Sequence, residues 1–310
     1  MRKNAKIYVA GHNGMAGSAI IRRLTANGFH NILYRDKEYL DLLSSNDVHR
    51  FLKEERPDYI FVAAARVGGI HANNTFRAQF LYENIQIQTN LIHGAHTADI
   101  QRLLFLGSSC IYPRECSQPI TEEALLTGPL ETTNEPYAIA KIAGIKMADA
   151  YNSQYGREYI SVMPTNLYGP NDNYDALNSH VLPALIRKAH EAKVNNASNV
   201  EVWGTGEPRR EFLHVDDLAS ACVFLMETNY NGSLLNVGTG KDLRIADLAT
   251  LVMDVVGVDA NVSFNTSKPD GTMQKLLDVQ KINALGWRAS IGLREGISDA
   301  YLKSPFCNAS

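Results

Sequence analysis

The sequence predicts an α/β protein: a doubly wound parallel Rossmann sheet with a smaller mixed α+β substrate lobe. Three observations lead there. A glycine-rich turn, Gly11-His12-Asn13-Gly14-Met15-Ala16-Gly17, follows a short apolar run near the start of the chain. Continuous apolar runs of strand length then alternate with helix-length patterns, the rhythm of βαβ units. After Pro164 the texture changes to longer loops rich in Asn, Pro and Gly.

The elements follow in order. Residues 6–10 read as a buried strand, and Ile20, Ile21 and Leu24 mark a helix that stops at Gly28. Residues 31–34 are a second strand, and 47–55 a helix closed off by Pro57. Runs 59–64 and 102–107 have the buried parallel-strand composition, with a helix over 78–97 between them. A helix over 137–155 and a strand over 158–163 complete the first lobe. Helix 180–192, strand 200–203 and helix 245–256 belong to the second, while the apolar stretch 216–227 returns to the first. The expected division is therefore discontinuous: 1–165 plus roughly 212–240 for the dinucleotide, and 166–211 plus roughly 241–310 for the substrate.

Bulk properties narrow the function. A net charge of −3 removes the electrostatic case for nucleic acid or an anionic membrane as partner. No apolar run approaches the ~20 residues of a membrane helix, and residues 7–10 are too short for the core of a signal peptide. Cys110, Cys116, Cys222 and Cys307 show no C-x-x-C and no metal-type spacing, so no metal is expected, and a reducing cytoplasm is the simplest compartment.

The chemistry starts at Tyr137-Ala-Ile-Ala-Lys141. Four residues apart on a helix, a phenol and an ammonium share one face, and a nearby cation favours the phenolate. Such a tyrosine can protonate the alkoxide formed by hydride transfer to a carbonyl. The spacing means little in isolation, but here it stands with the glycine turn and with Gly107-Ser108-Ser109-Cys110 at the end of the fourth strand. Ligands bind at that carboxyl edge in open α/β sheets. Ser108 can hydrogen-bond a substrate carbonyl, and Cys110 can act as a base once a cation favours its thiolate. Cys110 alone would be a small buried hydrophobe, and His180 alone merely the start of a helix after Asn178-Ser179. Together they form an acid–base pair suited to exchanging protons alpha to a ketone.

The glycine turn has the form G-x-x-G-x-x-G between strand and helix, where backbone can approach a pyrophosphate at a helix N-terminus. At the end of the second strand Arg35 and Lys37 flank Asp36. An acid there suits the ribose of NAD and cations suit the 2′-phosphate of NADP. Two cations outnumber one acid, so the count favours NADP. In the second lobe Lys188, Trp203, Arg209, Arg210, Lys268 and Asp270 offer cations for a diphosphate, a ring for a base and a carboxylate for sugar hydroxyls.

These segments taken together are Gly-His-Asn-Gly-Met-Ala-Gly at 11–17, Ala-Ala-Ala-Arg-Val-Gly-Gly-Ile at 63–70, Phe-Leu-Gly-Ser-Ser-Cys-Ile-Tyr-Pro at 105–113, and Thr-Asn-Glu-Pro-Tyr-Ala-Ile-Ala-Lys-Ile-Ala-Gly at 133–144. They continue with Met-Pro-Thr-Asn-Leu-Tyr-Gly-Pro at 163–170, Arg-Glu-Phe-Leu-His-Val-Asp-Asp at 210–217 and Ser-Lys-Pro-Asp-Gly at 267–271. The set resembles the extended short-chain dehydrogenase/reductase family, in its branch of GDP-sugar epimerase/reductases, over nearly the whole chain. The resemblance implies epimerisation of GDP-4-keto-6-deoxy-D-mannose at C3 and C5, then reduction at C4 by NADPH. It implies Cys110 as base, His180 as acid, and Ser108, Tyr137 and Lys141 for the reduction. Lys188, Trp203, Arg210 and Asp270 would hold the GDP-sugar. The cofactor would lie against Gly11, Asn13, Gly14, Met15, Gly17, Arg35, Lys37, Asp41, Leu42, Ala64, Leu106, Gly107, Ser109, Lys141, Pro164, Asn166, Leu167 and His180. It also implies a homodimer through helices 78–97 and 137–155. A relative acting on another GDP-4-keto sugar, a 6-deoxy-heptose or a colitose precursor, is the alternative. A non-catalytic dinucleotide-binding regulator ranks low, because it would not need Ser108, Tyr137 and Lys141 in register. A sugar dehydratase would carry an Asp-Glu pair where this chain has Ser109-Cys110.

Overall fold

The computed structural model describes residues 1–307 apart from positions 177, 229, 233 and 269. The first lobe runs β1 (Ile7–Ala10), α1 (Met15–Ala26), β2 (Ile32–Leu33), α2 (Ser45–Glu55), β3 (Tyr59–Val62), α3 (Ile70–Thr75), α4 (Arg77–Thr97), β4 (Arg102–Leu106), α5 (Glu135–Tyr155) and β5 (Glu158–Pro164). The chain then crosses to the second lobe through β6 (Asn166–Tyr168), α6 (Val181–Asn195), β7 (Asn199–Trp203) and β8 (Arg209–His214). It returns with α7 (Val215–Glu227) and β9 (Leu234–Val237), and ends with β10 (Asp242–Arg244), α8 (Ile245–Val256), β11 (Asn261–Asn265), β12 (Gln274–Lys275), α9 (Gln280–Ala284) and α10 (Leu293–Leu302).

A six-stranded sheet in the order β2-β1-β3-β4-β5-β9 is parallel throughout. Both its faces are covered. On one, Ile20 and Leu24 of α1 meet Leu218 and Cys222 of α7. On the other, Val48 and Leu52 of α2 join Leu91 of α4 and Ile145 of α5. Burial on both sides explains why the strands read as unbroken apolar runs. The strand order reverses between β1 and β3, and a cleft opens at such a switch point beyond the carboxyl ends. The second lobe has its own core, in which Leu185 and Ile186 of α6 pack with Leu248 and Val252 of α8.

The structure departs from the sequence expectations in four places. The second strand is only Ile32–Leu33, since the chain turns at Asp36, whose carbonyl accepts from Tyr39 and Leu40. Helix α3, Ile70–Thr75, fills a stretch with no strong period. Strand β8 straddles the boundary expected at 212 and, among the described residues, pairs only with β6, β10 and β12 of the second lobe. Finally, the stretch around α9, expected in the second lobe, packs on the first: Ile282 and Trp287 lie in the core beneath α7. The buried carboxylate of Asp217 holds that return by accepting the N–H groups of Ser290 (3.0 Å) and Ile291 (2.9 Å).

Candidate active site

Strand β4 and helix α5 build the chemical corner. After Leu106 the chain leaves the sheet through Gly107, where a Cβ would lie 2.0 Å from the terminal methyl of Met163, so a larger residue would require that flexible side chain to move. Ser108 and buried Ser109 and Cys110 follow in a tight turn, with the Ser108 hydroxyl accepting from the Cys110 N–H at 3.5 Å. Helix α5 crosses above them. Its Lys141 is 3% exposed and donates to the Leu106 carbonyl at 2.8 Å, so the ammonium is pinned to the strand end. The same Nζ lies 5.8 Å from the Tyr137 ring centroid. The Ser108 hydroxyl lies close enough to the Tyr137 phenol to pull its pKa down. Ser108, Cys110, Tyr137 and Lys141 are thus one group.

Its electrostatics follow from burial. Desolvation raises the Tyr137 pKa, Cys110 adds to the rise, and the Ser108 hydrogen bond opposes it. Desolvation also raises the Cys110 pKa, against the pull of Lys275, Ser108 and Lys141. Lys141 is pushed down to about 8 by desolvation, which the nearby Cys110 partly offsets. Burial shifts each titratable group here toward its neutral form, although Lys141, at about 8, still carries its charge at neutral pH.

His180 approaches from the second lobe as the residue that opens α6. The Gly69 N–H donates to the Asn178 carbonyl at 3.0 Å, and the Gly69 loop is tied to α4 where Asn84 accepts from the Arg66 N–H at 2.9 Å. The backbone therefore sets His180 beside the carboxyl end of β3. Its ring touches solvent, yet desolvation holds its pKa below the ordinary imidazole value. Solvent contact with protein crowding on the remaining sides is how a group lining a cleft behaves.

The glycine turn sits at the switch point. Gly11 has φ +87°, and a Cβ there would lie 2.6 Å from the Ala64 nitrogen at the end of β3. At Gly17 a Cβ would be 2.1 Å from the Gly11 carbonyl oxygen, so that helix and turn touch. Gly14 is the N-cap of α1, and no side chain caps the helix. The amides at Met15 and beyond are thereby presented to an anion. These features fit a dinucleotide pyrophosphate. Leu42 turns its carbonyl to Asn90 (2.8 Å), and Asp41 accepts from the Leu43 N–H (3.1 Å), so both shape the loop before α2. Pro164 ends β5, the Asn166 amide donates to the Glu211 carbonyl (2.8 Å), and Leu167 packs against the first core.

The far end of this cleft is lined by His12, Asn13, Ser18, Ile21, Arg22, Tyr34 and Asp36. Arg35, expected here as a phosphate ligand, is turned away: its Nη2 donates to Glu55 Oε1 at 2.9 Å. That ion pair holds it on the α2 side, 5.6 Å from the Phe51 ring centroid. Lys37 is exposed on the following turn.

In the second lobe, Trp203 is 50% exposed, with the ammonium groups of Lys188 and Lys268 at 5.3 Å and 5.2 Å from its ring centroid. Asp270 accepts from the Thr205 N–H (2.7 Å) and hydroxyl (2.8 Å), and Gly204 is obligatory because a Cβ would lie 2.2 Å from that carboxylate. Desolvation lowers the Arg210 pKa and the charge of Asp270 opposes the shift, while a Cβ on the following Gly271 would lie 3.6 Å from Arg210 Nη2. Arg209 leaves the group: it grips Asp242 at 2.8 Å and 2.9 Å on the other face of β8.

The chain matches the NAD dependent epimerase/dehydratase family over residues 7–238. It is 56% identical over 309 residues to "GDP-L-fucose synthase 1" of Arabidopsis thaliana, covering 99% of this chain and 95% of that protein. The chain belongs to the NAD dependent epimerase/dehydratase family. The GDP-L-fucose synthase of Escherichia coli (strain K12) is 53% identical over 305 residues, covering 96% of this chain and 95% of its own. Among solved structures, a GDP-mannoheptose C4 reductase from Campylobacter jejuni with NADP bound is 40% identical with a TM-score of 0.89, covering 97% of this chain and 98% of that one.

Within this family member, sequence reasoning missed Lys275. It lines one small pocket with Cys110, Gln118, Glu131 and Gln274. Its neighbours explain how a two-residue strand is held there. Lys275 stands beside Arg210 in the β12–β8 register, and the Leu276 N–H donates to Gln118 Oε1 at 2.9 Å. Glu211, fully buried, accepts from Leu277 (3.0 Å), Thr239 (2.6 Å) and Gly240 (2.7 Å). Lys275 so links the Cys110 corner to the Arg210–Asp270–Trp203 end. Only its place after the Lys268–Asp270 segment could have flagged it in the sequence.

Proposed function

We propose that the enzyme is a GDP-L-fucose synthase, which epimerises GDP-4-keto-6-deoxy-D-mannose at C3 and C5 and reduces it at C4 with NADPH. The observation that carries this reading is the Cys110 thiol inside the same group as Ser108, Tyr137 and Lys141. A plain reductase needs the tyrosine and lysine but no thiol beside them. The relatives named for GDP-L-fucose synthesis, matched over nearly the full chain, support the same substrate.

The residues divide the work as follows. Trp203 stacks on the base, Lys188 and Arg210 neutralise the diphosphate, and Asp270 accepts sugar hydroxyls, so the 4-ketone reaches Ser108 and Tyr137. Two hydroxyls donating to that oxygen acidify the protons at C3 and C5, because the carbanion delocalises as an enolate. At each centre Cys110, as thiolate, removes the proton and His180 donates one to the opposite face, and proton exchange with solvent resets the pair before the next centre reacts. The Cys110 thiolate forms against its burial, with Lys275 and Lys141 as the cations that favour it. The glycine turn and Lys141 would hold NADPH, which would supply the hydride for C4. Tyr137 then gives its proton to the C4 oxygen, and the Lys141 ammonium eases that release.

In heavy water without NADPH, deuterium is expected at C3 and C5 of the substrate, followed by NMR. Cys110→Ser should slow that exchange by about 10²–10⁴-fold and leave NADPH affinity unchanged. Exchange at the wild-type rate in this variant would remove Cys110 from the role of base. The reading includes a homodimer through α4 and α5, which carry exposed Tyr82 and Ile139, and sedimentation equilibrium tests it. It includes a reducing cytoplasm, suited to the free thiols Cys110, Cys116 and Cys222, and cell fractionation tests that.

A further inference from the structure

We propose that the adenosine end of the cofactor cleft accepts NADH as well as NADPH, within about tenfold in affinity, and that Asp36 is the residue that sets this balance. The inference rests on the dinucleotide reading above and refines it.

The directions of the side chains in and after β2 carry the argument. Ile32 packs on the α1 side of the sheet and Leu33 on the α2 side. Tyr34 and Asp36 follow Ile32 into the cleft, a hollow of about 400 Å³ shared with His12, Asn13 and Arg22. Arg35 follows Leu33. It is bonded to Glu55 and lies 5.6 Å from the Phe51 ring centroid, on the α2 side. So the acid faces the cleft and the cation beside it does not.

Asp36 is also held in place. Its Oδ1 accepts from the Asn13 amide at 2.7 Å and lies 3.3 Å from His12 Nε2, while the His12 ring stacks on Tyr34 with centroids 4.7 Å apart. Both contacts fall on Oδ1. Among the described residues none falls on Oδ2, which is left to accept a ribose hydroxyl. A carboxylate at this place bonds the 2′-hydroxyl of NADH and repels the 2′-phosphate of NADPH. Arg22 is the counterweight, the cation lining the same cleft. Its Nη2 bonds Asp216 at 2.6 Å on the exposed surface, an ion pair weak enough to be exchanged for a phosphate.

The test is direct binding of each reduced dinucleotide by nicotinamide fluorescence, without sugar. Wild-type affinities within about tenfold of each other are expected, and Asp36→Thr should shift the NADPH:NADH affinity ratio by about 10²-fold toward NADPH. Asn13→Arg should tighten NADPH alone by about tenfold, which guards against an uninformative Asp36 variant. A wild-type preference for NADPH beyond about 10²-fold would overturn the inference, as would an unmoved ratio in Asp36→Thr. Binding of both dinucleotides by a protein that leaves the sugar unreduced would support the inference and unseat the proposed reaction.

Discussion

The two ends of the cofactor cleft are built in opposite ways. At the Tyr137–Lys141 corner the groups are buried and the backbone does the placing: a strand end carries Ser108 and Cys110, and a helix pinned by Lys141 to the Leu106 carbonyl carries the rest. At the Asp36 rim the groups are exposed on a turn after a strand of two residues. In the buried corner, a motif along the chain is also a site in space. On the exposed rim, residues adjacent in sequence face opposite ways, and a count of charges does not say which of them face the cleft. Burial also changes the currency: the corner is governed by protonation, the rim by hydrogen bonds and ion pairs in water.

Tyr137→Phe should break the buried end hardest. C4 reduction is expected to fall by about 10²–10⁴-fold in stopped-flow assays with NADPH affinity unchanged, and undiminished turnover would remove the phenol as proton donor. Lys275→Met comes next. Without its nearest opposing cation the Cys110 thiol pKa climbs further, so exchange at C3 and C5 at neutral pH should fall by about tenfold, with Lys275→Arg restoring it. A loss of exchange that is the same at every pH would instead mark Lys275 as merely structural. Titration sharpens the comparison. Lys141, brought down to about 8, loses its charge as pH rises through that value, so C4 reduction should decline there. The Cys110 thiolate fraction grows over the same interval, so exchange should rise. Parallel pH profiles for the two steps would contradict the assignment. The smallest effect belongs to the rim: Arg35→Ala should change NADPH affinity by about twofold or less, because the guanidinium is committed to Glu55.

Much of this was legible in the chain. Tyr59–Val62 and Arg102–Leu106 advertise buried parallel strands because both faces of the sheet are covered, and the spacing of Gly11, Gly14 and Gly17 announces the turn between β1 and α1. The Tyr137–Lys141 pair is readable because helical geometry alone brings the two side chains together. What escaped were short elements made by distant partners. β12 is two residues long, and it exists because β8 and Gln118 receive it. Helix α9 returns to the first lobe because Asp217, some seventy residues upstream, collects the amides of Ser290 and Ile291.

By itself the sequence determined whatever depends on local period and stereochemistry: the alternating strands and helices, the tight glycine turn, and which chemical groups stand at strand ends and helix faces. The tertiary structure alone decided which of these groups meet and which way they point. It put Lys275 beside Cys110, paired Arg209 with Asp242 and left Arg210 beside Gly271, and faced Asp36 rather than Arg35 into the cleft. The physical reason is that one residue's step along a strand reverses the side chain's direction. Which direction is inward is settled only when the sheet packs against its helices.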